Sequence, residues 1–585
     1  MLTDAEQATL DAITLDAPWE LIERFSRLKR EDPADVRTAA DLLVARLTSH
    51  GVPVHVHRPE LYLSIPRSAS IRLGDQTLHA KAMAMSASLP GGHTAPLVHQ
   101  PSVYAADADE MFSKALFGDA VDVRGKIVVT EGFGMPGKVG ELEERGALGV
   151  IAVNPGDRAH WGICTSIWGT PDLDGLPRKP NIPVVSVNRH DGALLIDAAH
   201  DGQAITLFTH LDEGWFESPI PVVTIPGRED PDAFVLLHGH YDSWDVGVGD
   251  NAVGDATLLE IARVLWERRS ELRRTVKIAW WPGHSTGRYA GSTWFSDTFA
   301  LELHDHCVAQ VNCDSPGCRD ATEYRDVSWM PEAERYAQAV IRDVTGQESF
   351  GERPPRAGDY SFNNIGLTGY FMLLSTMPND LRAEKGYYAV GGCGGNIAWH
   401  TEDDTIDVAN KDILLKDMRI YALGTLRAAN ATTLPFDYTL AVDDLTAAVT
   451  KYQAAAKSHF DFSRVHDELT ALKAVISELD AYAATLDGRP LTDDTVRRVN
   501  AAYLTVTRLL TRVNFTRQAP FFHDPAISVP PLPDLAVALD LANVAPDKIG
   551  FHKTHLTRGQ NRVIATLRDA ARAVRAALPT PAPTL

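Results

Sequence analysis

FVLLHGHYDSWDVGVGDNAVGD, residues 234–255, is the stretch whose reading decides the fold. An apolar run ends in His240-x-Asp242, and a Gly-rich loop follows that carries Asp250 and opens a helix. Open α/β sheets bind ligands at the carboxyl ends of their strands, and this pattern builds a metal site there. His240 offers an imidazole and Asp250 a carboxylate able to bridge two cations. Asp242 is placed to orient His240 from behind.

Working outward, residues 220–435 alternate strand and helix. Strands are expected at 234–238, 275–281, 307–312 and 369–374, with helices at 256–269 and 331–344 between them. The second helix has Pro331 at its first position, where a missing N–H costs nothing. This β-α-β rhythm predicts a mostly parallel sheet with helices on both faces. Two more ligand-type residues fall at strand ends. Asp314 follows VAQVNC, and His400 ends the Gly-rich approach in GGNIAWHTEDDTID. Singly, a His after a strand is more often a satisfied polar group, and an Asp before Ser-Pro a turn former. Four such residues at one predicted sheet edge reverse that reading.

The flanking segments differ in character. The first 50 residues read as two helices, the second placing Val36, Ala39, Leu42, Leu43 and Leu47 at helical spacing before Gly51. Residues 67–219 change to short strands and Gly/Pro-rich loops, including a strand–helix–strand unit over 125–155. After Pro435 three apolar helical faces appear: Val465/Leu469/Leu472/Ile476/Leu479, Val496/Val499/Tyr503/Val506/Leu510, and Val563/Ile564/Leu567/Ala571/Val574. An appended helical bundle of this kind serves association. The tail PTPAPTL is expected to be disordered.

At 585 residues the chain needs two to four domains. Its 44% hydrophobic and 23% charged residues are those of an ordinary globular protein. A net charge of −21 argues against nucleic acid or an anionic membrane as the main partner. The N-terminal MLTDAEQATLDAI lacks basic and apolar signal regions, and no apolar stretch reaches spanning length. Five irregularly spaced cysteines fit a reducing, cytoplasmic setting, with Cys313 and Cys318 read as structural thiols.

The order His-x-Asp, Asp-Asn-x-x-Gly, Asn-x-Asp, His-Thr-x-x-Asp-Thr resembles the co-catalytic zinc aminopeptidases and glutamate carboxypeptidase II. The resemblance implies one metal position at His240, Asp250 and Asp314 and a second at Asp250 and His400. It implies a metallopeptidase-like domain over 1–66 and 220–435, a protease-associated insert domain over 67–219, and a helical dimerisation domain over 436–585. That last segment, with NAAYLTVTRLLTRVNFTRQAPFFHDP, is similar to the one shared by glutamate carboxypeptidase II and the transferrin receptor. A homodimer follows from it. By the same resemblance Asp404 takes a supporting role and Asp359 belongs to a loop on the substrate side; its plain alternative is a turn residue.

One departure matters. After the second strand the family carries two adjacent glutamates, a general base and a zinc ligand, whereas this chain reads IAWWPGHSTGRYAGSTWF. No carboxylate lies between Thr275 and Ser296, and His284-Ser285 stands in the acidic pair's place. Three outcomes stay open. His284 binds a second metal with Asp250 and His400; or one metal sits at His240, Asp250 and Asp314 while His284 and His400 act as acid and base; or the site is inert, as in the transferrin receptor. The leading expectation is a hydrolase of an amide or C–N bond in a small amino-acid-derived or peptide substrate, with His284 and Asp242 in catalytic roles. It would use one or two divalent ions, zinc first, with manganese, iron or nickel also suited to His and Asp ligands. A lyase or acyl or cyclisation transferase and a non-catalytic dimeric binding protein are the alternatives. Glu402 is the nearest spare carboxylate that could act as base. Arg288, in the insertion after His284, either pairs with a substrate carboxylate or lies in solvent.

Overall fold

The computed structural model describes residues 1–107, 110–111 and 117–579. Its central sheet has six strands in the order His55–His57, Ile220–Ile225, Arg274–Trp281, Asp230–His240, Cys307–Asn312, Gly369–Tyr370. The last four run parallel, with His238 opposite Ala279 on one side and Asn312 on the other. Ile220–Ile225 pairs antiparallel with both of its neighbours.

Alternation along Asp230–His240 covers both faces. Val235 and Leu237 enter the large core with the helices Asp16–Phe25, Val253–Glu267 and Lys411–Asn430. Phe234 and Leu236 point the other way, into a smaller cluster with Phe295 and Leu303 from the helices Ala290–Thr298 and Ala300–His306. The apolar run 234–237 within this strand is the signature of such a doubly covered parallel sheet. Burying it aligns the four carboxyl ends along one edge.

Seven strands from Glu60–Leu73 to Ala204–Glu217 close into a barrel. Within it Ile127–Glu131, Pro136–Glu144 and Gly149–Val153 form the strand–helix–strand unit, its strands parallel. The C-terminal segment folds as four long helices, Tyr438–Ala456, Ser463–Ala484, Asp494–Phe515 and Ile549–Ala577. The three apolar stripes read from the sequence are buried in the core that also contains the sheet.

The elements differ from expectation in three places. Three helices, not two, precede residue 50: Asp4–Asp11, Asp16–Phe25 and Pro33–Ser49. A Thr3/Glu6 capping box nucleates the first, and its short length hid it from periodicity. The helix Tyr438–Ala456 was missed although Val442, Leu445, Val449 and Tyr452 share a buried face. The strand expected over 369–374 ends at Tyr370, because Phe371 takes a left-handed conformation (φ 65°). The tail PTPAPTL lies outside the described residues beyond Pro579. Among the described residues, no helix is long and apolar enough to cross a membrane.

Candidate metal centre

The carboxyl ends of the parallel strands bring the ligand-type residues together. His240 closes its strand fully buried, and Asp250 comes from the loop before the helix Val253–Glu267. Asp314 follows Cys307–Asn312, His284 follows Arg274–Trp281, and His400 arrives on the loop after Gly395. His240 Nε2 lies 2.9 Å from Asp250 Oδ1 and 3.7 Å from Asp314 Oδ2. His400 Nε2 lies 3.1 Å from Asp250 Oδ2. Asp250 therefore presents one oxygen to each imidazole. Donor atoms of His240, His284 and Asp314 all fall within 4.8 Å of one another.

Supporting contacts fix which nitrogen each imidazole offers. His240 Nδ1 donates to the backbone carbonyl of Asp242 at 3.0 Å, and His400 Nδ1 to that of Trp161 at 3.1 Å. Both rings thus turn Nε2 toward Asp250. Trp161 belongs to the inserted barrel segment, so the barrel sets the orientation of a sheet-edge ligand. His400 is stacked on Trp399 and meets the edge of Trp244.

Asp404 accepts from the amides of Gly249 at 2.6 Å and Asp250 at 3.0 Å, which pins the loop carrying Asp250. A Cβ on Gly249 would fall 2.9 Å from Asp404 Oδ1 and 2.8 Å from Cys393 Sγ, so this approach needs glycine. Burial pushes the Asp404 carboxyl up to about 7.

Asp242 supports the site differently from expectation. Its carboxylate stays 3.9 Å from His240 Nδ1 and accepts instead from the amides of His284 at 3.0 Å and Ser285 at 2.9 Å. Its carbonyl orients His240 while its carboxylate holds the turn that carries His284. That ring stacks on His240 at 3.7 Å between centroids and meets Tyr289 edge-on.

Asp359 had two readings in the sequence, and its contacts give it a further one. Fully buried, it receives His284 Nδ1 at 3.0 Å and the Ser292 hydroxyl at 2.6 Å. Burial acts to raise its pKa, but the adjacent His284 and Ser292 outweigh burial and hold it below the usual carboxylate value. Among the described residues, His284 Nε2 is left as the ring nitrogen without a hydrogen-bond partner. Glu402 is directed elsewhere, forming ion pairs with Lys81 and Arg158, and does not stand in for a base. Arg288 is buried and lines the same cavity as His284 and Asp314, not solvent.

The cluster meets a chemical test for a cation. His240 Nε2 and Asp250 Oδ1 are both buried and, despite their 2.9 Å separation, lack the alignment of a hydrogen bond. Buried atoms of this kind left unpaired are costly, and a cation between imidazole and carboxylate donors satisfies both. Without an ion, burial disfavours the imidazolium of His240, but Asp250 and Asp314 dominate and raise its pKa well above normal. Burial raises Asp250 in turn, and the two imidazoles overcome it and hold the carboxyl well below its usual value.

Comparison with known proteins agrees with this architecture. Residues 222–422 match the model of peptidase family M28, and residues 93–195 match the PA domain. A probable glutamate carboxypeptidase of Zea mays, VP8, is 26% identical over 482 residues, covering 69% of this chain and 65% of that protein. The chain thus spans just under two thirds of that relative's length. Transferrin receptor protein 1 of Gallus gallus is 31% identical over 251 residues, 34% of this chain and 31% of the receptor. Among solved structures, the zinc aminopeptidase BSAP of Bacillus subtilis superposes with a TM-score of 0.52 at 20% identity, over 71% of this chain and 95% of that one. Residues 222–422 are thus similar to peptidase family M28, and residues 93–195 to a PA domain.

Proposed function

We propose that this protein is a metal-dependent hydrolase of an amide or related C–N bond in a small amino-acid-derived or peptide substrate, with His284 in place of a carboxylate base. The carrying observation is the Ser292–Asp359–His284 chain, whose free end lies beside His240 and Asp314. The match of residues 222–422 to peptidase family M28 and the maize relative, named as a probable glutamate carboxypeptidase, support the hydrolase class.

One divalent ion, zinc first, would be held by His240, Asp250 and Asp314, with His400 fixing Asp250 from the other side. When bound, it supplies Lewis acidity toward a carbonyl and toward water. The rest is done by the chain's own groups. Asp359 keeps the proton on His284 Nδ1, so Nε2 is the basic nitrogen. His284 accepts a proton from the attacking water as the C–O bond forms, then returns it to the leaving nitrogen as the C–N bond breaks. Asp359 stabilises the imidazolium between these steps, as the carboxylate does in Ser-His-Asp triads. The convergence of His284 with His240 and Asp314 favours one further reading, in which His284 is itself a ligand. The protein is proposed to work in the cytoplasm as a homodimer through residues 436–585.

The test is a screen of N-acyl amino acids and short peptides with added zinc, manganese, iron or nickel, followed by a His284→Ala variant. Activity abolished by chelator and by His284→Ala, with metal content unchanged, supports His284 as base. Loss of the metal in that variant makes it a ligand. Undiminished activity removes it from either role.

A further inference from the structure

We propose that Arg288 is an anion-recognition residue, so that the substrate carries a carboxylate beside an apolar or aromatic body. This rests on reading the cavity at the metal centre as the substrate site.

Five arginines are buried among the described residues, and in four of them two or more guanidinium nitrogens donate to main-chain carbonyls, although Arg356 Nε, like Arg288 Nε, is buried without a partner. Arg30 donates to Tyr241, Phe25, Val246 and Gly247, and Arg508 to Leu303, His304, Gly366 and Cys307. Arg274 uses Ala431 and Thr432, and Arg356 uses Tyr360 and Asp524. Arg288 is the exception. Its guanidinium makes one long hydrogen bond, Nη1 to Ile163 O at 3.4 Å, and lies 5.3 Å from the Tyr289 ring centroid. Its Nε is buried without a partner, and among the described residues no carboxylate comes within ion-pair distance. Yet the residue is only 3% exposed.

A buried cation without a counter-charge is expensive, and removing its partner from a buried pair is strongly destabilising. Folding tolerates the arrangement here in a cavity shared with His284 and Asp314, where a ligand can supply the missing anion. The guanidinium fork matches a carboxylate with two parallel hydrogen bonds. Met83, Phe133, Trp161, Trp244 and Trp399 supply wall that suits an apolar or aromatic group, while Asp326 and Glu352 also line the cavity and Arg288 is its buried cation. Another cavity arginine, Arg353, already donates to Asn514, so it does not compete for this role.

The experiment measures binding of N-acetyl-L-phenylalanine and its uncharged amide by tryptophan fluorescence, at fixed ionic strength, in metal-loaded and chelator-treated protein. Wild type is expected to bind the acid at least tenfold more tightly than the amide in both states. Arg288→Ala removes the preference, and Arg288→Lys keeps part of it, since the charge remains without the fork. Equal affinities in wild type, or a preference surviving Arg288→Ala, overturns the proposal. A preference that disappears on chelation alone assigns the carboxylate to the ion and also overturns it. A preference that depends on Arg288 in a protein that retains no metal and hydrolyses no amide leaves the proposal standing and sinks the hydrolase reading instead.

Discussion

Replacing Asp404 with alanine separates a metal-holding loop from a merely packed one. Asp404 is fully buried and satisfies two amides, those of Gly249 and Asp250. Orphaning a buried amide costs about 1–3 kcal/mol, so the deletion carries roughly 2–6 kcal/mol of lost hydrogen bonding before water enters. An opposing term exists. Burial holds this carboxyl at about 7 against an ordinary value of 3.8, so the fold carries a cost for its ionisation above that range, and removing the group relieves it. The two terms partly cancel, and the change in global stability should stay under about 3 kcal/mol. The change at the loop does not cancel, because among the described residues Asp404 alone accepts from those two amides. Losing such supporting contacts typically lowers metal affinity about 10- to 100-fold. Competition with a chromophoric chelator should show that loss for Asp404→Ala, with a smaller loss for Asp404→Asn, which keeps one acceptor. Unchanged affinity in the alanine variant would refute the idea that Asp404 sets the geometry of Asp250.

Three other outcomes are expected. Asp359→Asn should cut turnover by about 10²- to 10⁴-fold with KM and metal content little changed, since an amide can reverse the His284 tautomer; steady-state kinetics on any substrate found by screening will check it. His160 is buried and neutral, donating Nδ1–H to Trp399 O and accepting from the Tyr388 hydroxyl, and burial pushes its pKa down to about 3. Its contribution is complete above pH 6.5 and is lost as pH falls toward 3, by about 4 kcal/mol at pH 3.5; melting curves should therefore fall more steeply below pH 6 in wild type than in His160→Gln. Deleting residues 436–585 exposes the apolar faces of the core they cover and should give monomeric or insoluble protein, read by light scattering; a soluble truncated dimer would contradict it.

Much of the centre was legible because its ligands sit directly after apolar strands, where chain order and sheet edge coincide. His240, Asp314 and His284 follow that rule, Asp250 lies in the Gly-rich loop beyond His240, and His400 comes on a long loop after Gly369–Tyr370. Asp359 does not follow the rule. It sits on an irregular loop 75 residues from His284, and nothing local distinguishes its carboxylate from a turn former. Trp161 was equally hidden, since it acts through its carbonyl, which carries no side-chain signature. Asp242 was found for its spacing, but which of its oxygens faces His240 depends on the turn after Trp281. Arg288 could be placed beside His284, yet only burial and the lack of a partner separate a binding group from a solvent-exposed arginine.

The most direct test of the account is the metal content of purified protein, read together with anomalous scattering at the metal edge from its crystals. The account predicts at least one divalent ion per chain, with density between His240, Asp250 and Asp314, and its loss in His240→Ala. Protein that takes up no ion at that position, even with zinc, manganese or nickel in excess, would contradict it.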